Sequence, residues 1–169
     1  MFQKDDYVMY GNVGACQILD IRTEQFGKEE TLYYILKPLE GDNSTIYFPV
    51  GSEKVSMRKL LTASQAKQLI SSLPEIKAEW IENDQQRKAK FEEIIRTGNR
   101  RELAKLVKTC HLAREAKVKE GKKLHMADER LMEKATRLLH GELAHVLHIR
   151  PEEVESYIDE SLANIVASQ

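Results

Sequence analysis

The spacing of apolar residues changes near residue 62, and this change constrains the fold more than any other feature. Before it, short runs of aromatic and β-branched residues are separated by turn residues such as Gly and Asn. Beyond it, apolar residues recur every three or four positions over long stretches. The first pattern is typical of β-strands and the second of amphipathic helices. We therefore predict an α+β protein with two domains, residues 1–61 and 62–169.

The first domain contains four strand-like runs, and glycine- or asparagine-containing turns separate them. The turn at Gly11-Asn12-Val13-Gly14 and the Gly27-Lys28 pair are of the kind that joins antiparallel strands. Several short strands with tight turns predict a small, strongly bent β-barrel of the SH3 or Tudor kind. The predicted strands cover residues 7–10, 15–21, 31–36 and 45–48.

The second domain is predicted to be a compact all-α domain of about five helices. Thr62 and Gln65 have the spacing of a capping box, and Thr97-Gly98-Asn99 reads as a helix stop followed by a new cap. The predicted helices cover residues 63–71, 84–96, 100–119 and 127–147, and a last one follows Pro151. The stripe predicted to be buried in the last helix consists of Val154, Ile158, Leu162, Ile165 and Val166.

The chain carries none of the sequence motifs of the common catalytic sites. There is no phosphate-binding loop, dinucleotide fingerprint or nucleophile elbow. His145 and His148 lie three residues apart, but Glu142 is the only carboxylate candidate near them, and zinc usually takes four ligands. Cys110 falls on the apolar stripe of its helix and is predicted to be a core residue. We predict that the protein is not an enzyme and binds no metal or cofactor.

Cysteine content and hydropathy indicate the compartment. The chain has only 2 Cys residues, too few for a disulfide framework, which favours a reducing cytoplasm. No run approaches the roughly 20 apolar residues of a membrane span, so we expect no membrane contact. These features predict a cytoplasmic protein.

The charge is unevenly distributed although the net charge is only −1. Residues 87–123 hold 13 Lys or Arg side chains against 5 Asp or Glu. Such a block is either a solvated helix face or a surface that contacts nucleic-acid phosphates. The candidates for phosphate contact are Arg87, Lys88, Lys90, Arg100, Arg101, Lys105 and Lys108.

Trp80 is the only tryptophan and lies in a polar stretch just before the basic block. A lone tryptophan is commonly a core anchor. The polar neighbours Lys77, Glu79 and Glu82 favour an exposed side chain instead, because a core segment rarely carries so many charges. An exposed indole beside a basic block could act as a wedge or stacking group on DNA.

The ordered set of motifs resembles the CarD family of transcription regulators. The resemblance spans essentially the whole chain. The segments that carry it are YVMYGNVG at 7–14, YYILK at 33–37, TIYFPV at 45–50, VSMR at 55–58, Trp80, and LLHGELA at 138–144.

This resemblance implies a non-enzymatic bacterial factor that is monomeric when free. Its first domain would be similar to the polymerase-binding module of transcription-repair coupling factor and would dock on the RNA polymerase β subunit. Its helical domain would contact promoter DNA at the upstream edge of the melted region and stabilise the open complex. Trp80 matches the family's minor-groove wedge, and Arg87, Lys88 and Lys90 resemble the basic residues that accompany it.

Two departures from the family pattern bear on these roles. Acidic residues follow closely after Trp80, and the basic residues come about three positions later than the family pattern leads us to expect. Acidic groups repel phosphate. Glu24 and Tyr47 stand roughly where some members carry basic polymerase contacts. From exposed strand positions we select Arg22, Lys37 and Tyr47 as polymerase-binding residues.

Two alternatives stay open. In the first, the protein is an adaptor on RNA polymerase whose helical domain binds another protein rather than DNA. In the second, it is an RNA-binding module, which is disfavoured because the first domain lacks evident paired exposed aromatic residues and a basic groove.

Overall fold

The computed structural model describes residues 1–41 and 43–167. Contacts divide the chain into two compact units, Met1–Leu60 and Leu61–Gln169. Leu61, which the sequence analysis placed in the first domain, is buried in the core of the helical unit. None of the described helices is long and apolar enough to cross a membrane.

The first unit is an antiparallel sheet of five strands. The strand order is β4-β3-β2-β1-β5, so β4 and β5 lie at the two edges. The predicted closed barrel is not confirmed, because no pairing joins β4 to β5 within the described residues. A fifth strand, absent from the sequence prediction, pairs with β1. The strands are β1 Tyr7–Tyr10, β2 Gly14–Phe26, β3 Glu29–Pro38, β4 Ile46–Pro49 and β5 Met57–Lys59.

The longest pairing is the β2–β3 hairpin, and its turn explains its register. Phe26 pairs with Glu29, so the loop has two residues, and Gly27 there has φ of 90°. A two-residue hairpin loop needs positive φ, which glycine adopts without steric cost. One face of the sheet covers a core, whose fully buried members include Val8, Cys16, Ile18 and Leu36.

The second unit contains the five predicted helices. Thr62 and Gln65 form the predicted capping box, with N–H to oxygen distances of 3.1 Å and 3.0 Å. Gly98 ends one helix with φ of 68°, and Asn99 caps the next. The helices are α1 Ala63–Ser72, α2 Asp84–Thr97, α3 Arg100–Lys119, α4 Met126–Leu147 and α5 Val154–Ala167, with 3₁₀ turns at Leu73–Glu75 and Pro151–Glu153.

Two apolar clusters form the helical core. One joins α1, α4 and the beginning of α5 around Leu143, and the other joins α2, α3 and α4 around Leu103 and Leu106. The predicted buried stripe of α5 is only partly correct, because the core reaches no further than the first turns of this helix. Of its members, Val154 is buried, Ile158 and Leu162 are half-buried, and Ile165 and Val166 are exposed.

Candidate nucleic-acid interface

An extended segment, residues 77–83, links the first 3₁₀ turn to α2 and carries Trp80. Hydrogen bonds attach this segment to the neighbouring helices. The backbone N–H of Glu79 donates to Thr109 Oγ1 on α3 at 3.1 Å. The side chain of Asn83 caps α2 by accepting from the N–H of Gln86 at 2.9 Å. The segment therefore has a defined position on α2 and α3.

Trp80 is half-buried rather than exposed, which corrects the expectation drawn from its polar neighbours. Its ring packs edge-on against Phe91 of α2, with 6.4 Å between the centroids. The guanidinium carbon of Arg87 lies 4.3 Å from the centroid of the indole ring, within the range of a cation–π contact. The polar neighbours are exposed to solvent while the indole packs against α2. The local composition therefore did not reveal the burial of the indole.

Arg87 occupies the interior of the helical unit, with only 4% of its surface exposed. Nε and Nη2 donate to the two carboxylate oxygens of Asp128 on α4, at 2.9 Å and 2.8 Å. Nη1 donates to the carbonyl oxygens of Ile81 at 2.9 Å and Glu82 at 3.3 Å, and Nη2 also donates to Asp84 at 2.8 Å. A guanidinium has five N–H donors, and these five acceptors account for all of them.

The prediction that Arg87 contacts phosphate is therefore corrected. Its hydrogen bonds to Asp128 raise the pKa of Arg87, against the opposing effect of burial. The hydrogen bond from Arg87 also lowers the pKa of Asp84. The group is a permanently charged internal cross-link between α2, α4 and the Trp80 segment.

Lys105 and Lys108, also predicted phosphate contacts, bind groups of the protein itself. Lys105 Nζ lies 2.9 Å from Glu79 Oε2, and this hydrogen bond lowers the pKa of Glu79 and raises that of Lys105. Lys108 Nζ donates to the backbone carbonyls of Leu73, Pro74 and Ile76 at 2.8, 3.3 and 2.7 Å. Both side chains attach α3 to the chain preceding Trp80.

Four predicted phosphate contacts remain nearer the surface. Lys88, Lys90 and Arg101 are exposed, and Arg100 is half-buried. Lys90 also lines a shallow cleft beside the Trp80 segment, with Phe91 and Leu106 among its apolar walls and Glu79 and Lys105 among its charged ones. The exposed cations thus lie on α2 and at the beginning of α3.

The predicted polymerase-binding residues share one face of the sheet. Arg22 pairs with Tyr33 across β2 and β3, and Tyr47 pairs with Ile35 across β3 and β4. Lys37 lies two residues beyond Ile35 and therefore on the same face. The positive charge of Arg22 is paired within the sheet, because its guanidinium binds the carboxylates of Glu24 at 2.5 Å and Asp20 at 3.4 Å.

An aromatic cluster on this face was missed by the sequence analysis. The rings of Phe26, Tyr33 and Tyr47 lie edge-to-face, with centroids 5.2 to 6.2 Å apart. Phe26 is 57% exposed and Tyr47 40%. The expectation that the first domain lacks paired exposed aromatic residues was therefore wrong. The register of the β2–β3 hairpin, once fixed at Gly27, could have shown that Phe26 and Tyr33 share a face, but Tyr47 joins them through the separate pairing of β3 with β4.

Two further candidates from the sequence are the thiol of Cys110 and a metal site. Cys110 is buried as predicted, and burial raises the pKa of its thiol to about 12. In the part of the chain that the structure describes, no group of three or more His, Cys, Asp or Glu side chains could hold a metal ion.

Comparison with known proteins identifies the class. The family model described as CarD-like/TRCF RID domain matches residues 2–61. The model described as CarD, C-terminal domain matches residues 58–159. A comparison with curated protein sequences gives no significant match. CarD-family domains indicate an RNA polymerase-interacting transcription factor, and the CarD family is a non-catalytic family of such factors. The chain belongs to the CarD family.

Proposed function

We propose that the protein binds the β subunit of RNA polymerase through its sheet unit. Its helical unit contacts promoter DNA at the upstream edge of the transcription bubble and stabilises the open complex. The observation that carries this proposal is that Trp80 lies just before α2, and that α2 carries the exposed Lys88 and Lys90. Family membership supports the polymerase contact.

The environment of Trp80 suits a wedge. An apolar ring inserted at an unstacked base step offsets part of the cost of opening DNA, about a few kcal/mol per step. Because Phe91 and Arg87 already hold the ring, little side-chain entropy remains to be given up on binding. Lys88, Lys90 and Arg101 supply charge for the neighbouring phosphates.

The acidic residues around Trp80 oppose DNA less than their sequence positions indicate. Glu79 is paired with Lys105, which offsets its charge, whereas Asp84 shares the single positive charge of Arg87 with the buried Asp128. Glu82 is exposed beside them. The repulsion expected from these three acidic side chains, which lie within four positions of the tryptophan, is reduced mainly at Glu79.

The alternative function is that of an adaptor whose helical unit binds a protein partner. One observation favours it: Arg87, Lys105 and Lys108 each bind groups within the unit, which reduces the positive surface offered to DNA. An adaptor would need no nucleic-acid contact at Trp80. The two functions therefore differ in the effect of Trp80 on promoter opening by purified components.

The lifetime of the open complex, measured with purified polymerase and promoter DNA, tests the proposal. Trp80→Ala should shorten the lifetime while polymerase binding is retained. Because the indole is half-buried, we expect a stability loss of about 1–2 kcal/mol, below the 3–5 kcal/mol typical of a fully buried aromatic residue. Tyr157→Ala, at a half-buried aromatic residue of α5, controls for destabilisation. An unchanged lifetime with Trp80→Ala would reject the DNA contact and leave the adaptor function.

A further inference from the structure

Arg87 and Asp128 form a buried ion pair across the helical unit. The two residues lie 41 positions apart in the sequence, on α2 and in the first turn of α4. Their side chains are only 4% and 5% exposed. The two parallel N–H to oxygen contacts are the fork geometry in which arginine binds a carboxylate most strongly.

The same guanidinium also fixes the chain next to Trp80. Its Nη1 atom binds the carbonyl oxygens of Ile81 and Glu82, the two residues that follow the tryptophan. Its central carbon lies over the indole, 4.3 Å from the ring centroid. One rigid planar group therefore contacts both the side chain of Trp80 and the backbone that sets its direction.

We propose that the Arg87–Asp128 pair is a positioning device that holds the Trp80 indole in its DNA-contacting orientation before DNA arrives. This inference rests on the proposed function of Trp80 as the DNA contact. In this arrangement Arg87 touches no nucleic acid and acts through the indole. Asp128 acts one step further away, because it fixes the plane of the guanidinium.

The choice of an ion pair at this position supports a role in orientation. A buried ion pair contributes little net stability compared with apolar side chains of similar volume, since desolvation offsets most of the attraction. Apolar side chains could fill the same space but could not bind the carbonyls of Ile81 and Glu82. Lysine could keep the charge, but it lacks the planar fork and the stacking surface.

The single tryptophan makes the orientation measurable in the full-length protein. Arg87→Lys keeps the charge beside Asp128. The double variant Arg87→Met, Asp128→Leu removes both charges and keeps the volume filled, so it provides a folded protein if the lysine variant unfolds. Lys105→Met is the matched control, because it breaks an ion pair to the same segment at its exposed side.

Two measurements are made on each variant that retains wild-type far-ultraviolet circular dichroism. The first is the near-ultraviolet circular dichroism of Trp80 together with its quenching by acrylamide. We expect the tryptophan bands to weaken and quenching to rise towards that of the unfolded chain in the Arg87 variants, with no change in Lys105→Met. The second measurement is the lifetime of the open complex. In the Arg87 variants this lifetime should fall to the value given by Trp80→Ala.

Three results would contradict the proposal or separate it from the proposed function. A folded double variant with wild-type tryptophan bands and quenching would overturn the positioning role. The positioning role would also be overturned if the indole becomes mobile but the open-complex lifetime stays at the wild-type value, given that Trp80→Ala shortens that lifetime. If Trp80→Ala itself has no effect on the lifetime, the proposed DNA contact fails, and the positioning for DNA fails with it even where the spectra change.

Discussion

The Nζ atom of Lys108 on α3 lies 2.8 Å from the carbonyl oxygen of Leu73, the C-cap residue of α1. The same ammonium binds the carbonyls of Pro74 and Ile76. Carbonyls at the end of a helix have no partner within the helix, and a basic side chain is one of the groups that can satisfy them. Lys108, which lies on the neighbouring helix α3, thus supplies a hydrogen-bond donor to the C-terminal end of α1.

Replacing Lys108 should therefore reduce stability more than replacing its neighbour Lys105. Lys108→Met leaves three carbonyl oxygens without their charged donor, which we expect to cost about 1–2 kcal/mol at this half-buried site. Lys105→Met breaks a surface pair with Glu79, whose attraction water screens, and should cost less. Urea denaturation of the two variants gives the comparison. Equal losses would contradict the proposed role of Lys108.

Local patterns predicted the elements that depend on local interactions. The helical period and the caps at Thr62 and Asn99 gave five helices close to their observed bounds. Closure of the sheet depends on strands far apart in the sequence, and the predicted barrel is not confirmed there. The short strand Met57–Lys59 was missed for the same reason, since its only described partner is β1.

The candidate site shows the same division between local and distant information. The sequence indicated Trp80 and the basic block as the residues of interest. It could not show that Arg87 points inward, because the group that compensates its charge is Asp128, 41 residues away. Nor could it distinguish Lys108, which binds carbonyls, from Lys90, which is exposed. A run of like charges is one pattern in sequence, but its members have different partners.

DNA affinity should depend on the three exposed cations among the predicted phosphate contacts. Lys88, Lys90 and Arg101 replaced together by Ala should weaken binding in the polymerase–promoter complex similarly on different promoter sequences. For each phosphate that is no longer neutralised, the slope of log affinity against log salt should become shallower by about 0.9. Lys67→Ala, at an exposed lysine of α1 outside the block, is the control. A triple variant with the wild-type slope would assign these side chains to solvent.

The aromatic face of the sheet should contribute to polymerase binding. Tyr47→Ala removes an exposed ring from the cluster with Phe26 and Tyr33, so the fold should be retained. Aromatic residues at interfaces are frequent hot spots, and we expect the Kd for the polymerase to rise about tenfold. Leu39→Ala, at a similarly exposed apolar residue, is the control. Equal affinity for the wild type and Tyr47→Ala would place the contact elsewhere.

The two thiols should be inert in the folded protein. Burial raises the pKa of Cys110 to about 12 and that of Cys16 to about 11. The thiolate is the reactive form, so at about pH 8 only about one thiol in a thousand or fewer is ready to react. A disulfide reagent such as Ellman's reagent should label neither residue until denaturant is added. Rapid labelling of the native protein would show that one of the two is accessible.

Stability should fall as the pH drops from about 7.5 to about 5.5, and His140 on α4 should contribute to the loss. Burial lowers the pKa of His140, and the nearby Glu155 offsets part of this effect. Burial, followed by the proximity of His148, also lowers the pKa of His145.

The sign follows from the protons bound in each state. The unfolded chain takes up a proton at these histidines near pH 6.5, whereas the folded protein does so only at lower pH. Below about pH 6.5 the unfolded state therefore binds more protons, and acid favours it. Carboxylates with a lowered pKa, such as Asp84, lose their stabilising effect only below about pH 4, outside this window.

His140→Gln should accordingly flatten the dependence of unfolding free energy on pH between about 5.5 and 7.5. Urea denaturation at several pH values measures the slope, with His111→Gln, at an exposed histidine of α3, as the matched control. A slope unchanged by His140→Gln, or stability that rises on acidification, would show that protonation of His140 is not linked to unfolding. A flatter slope specific to His140 would place the cost of acidification at its half-buried imidazole.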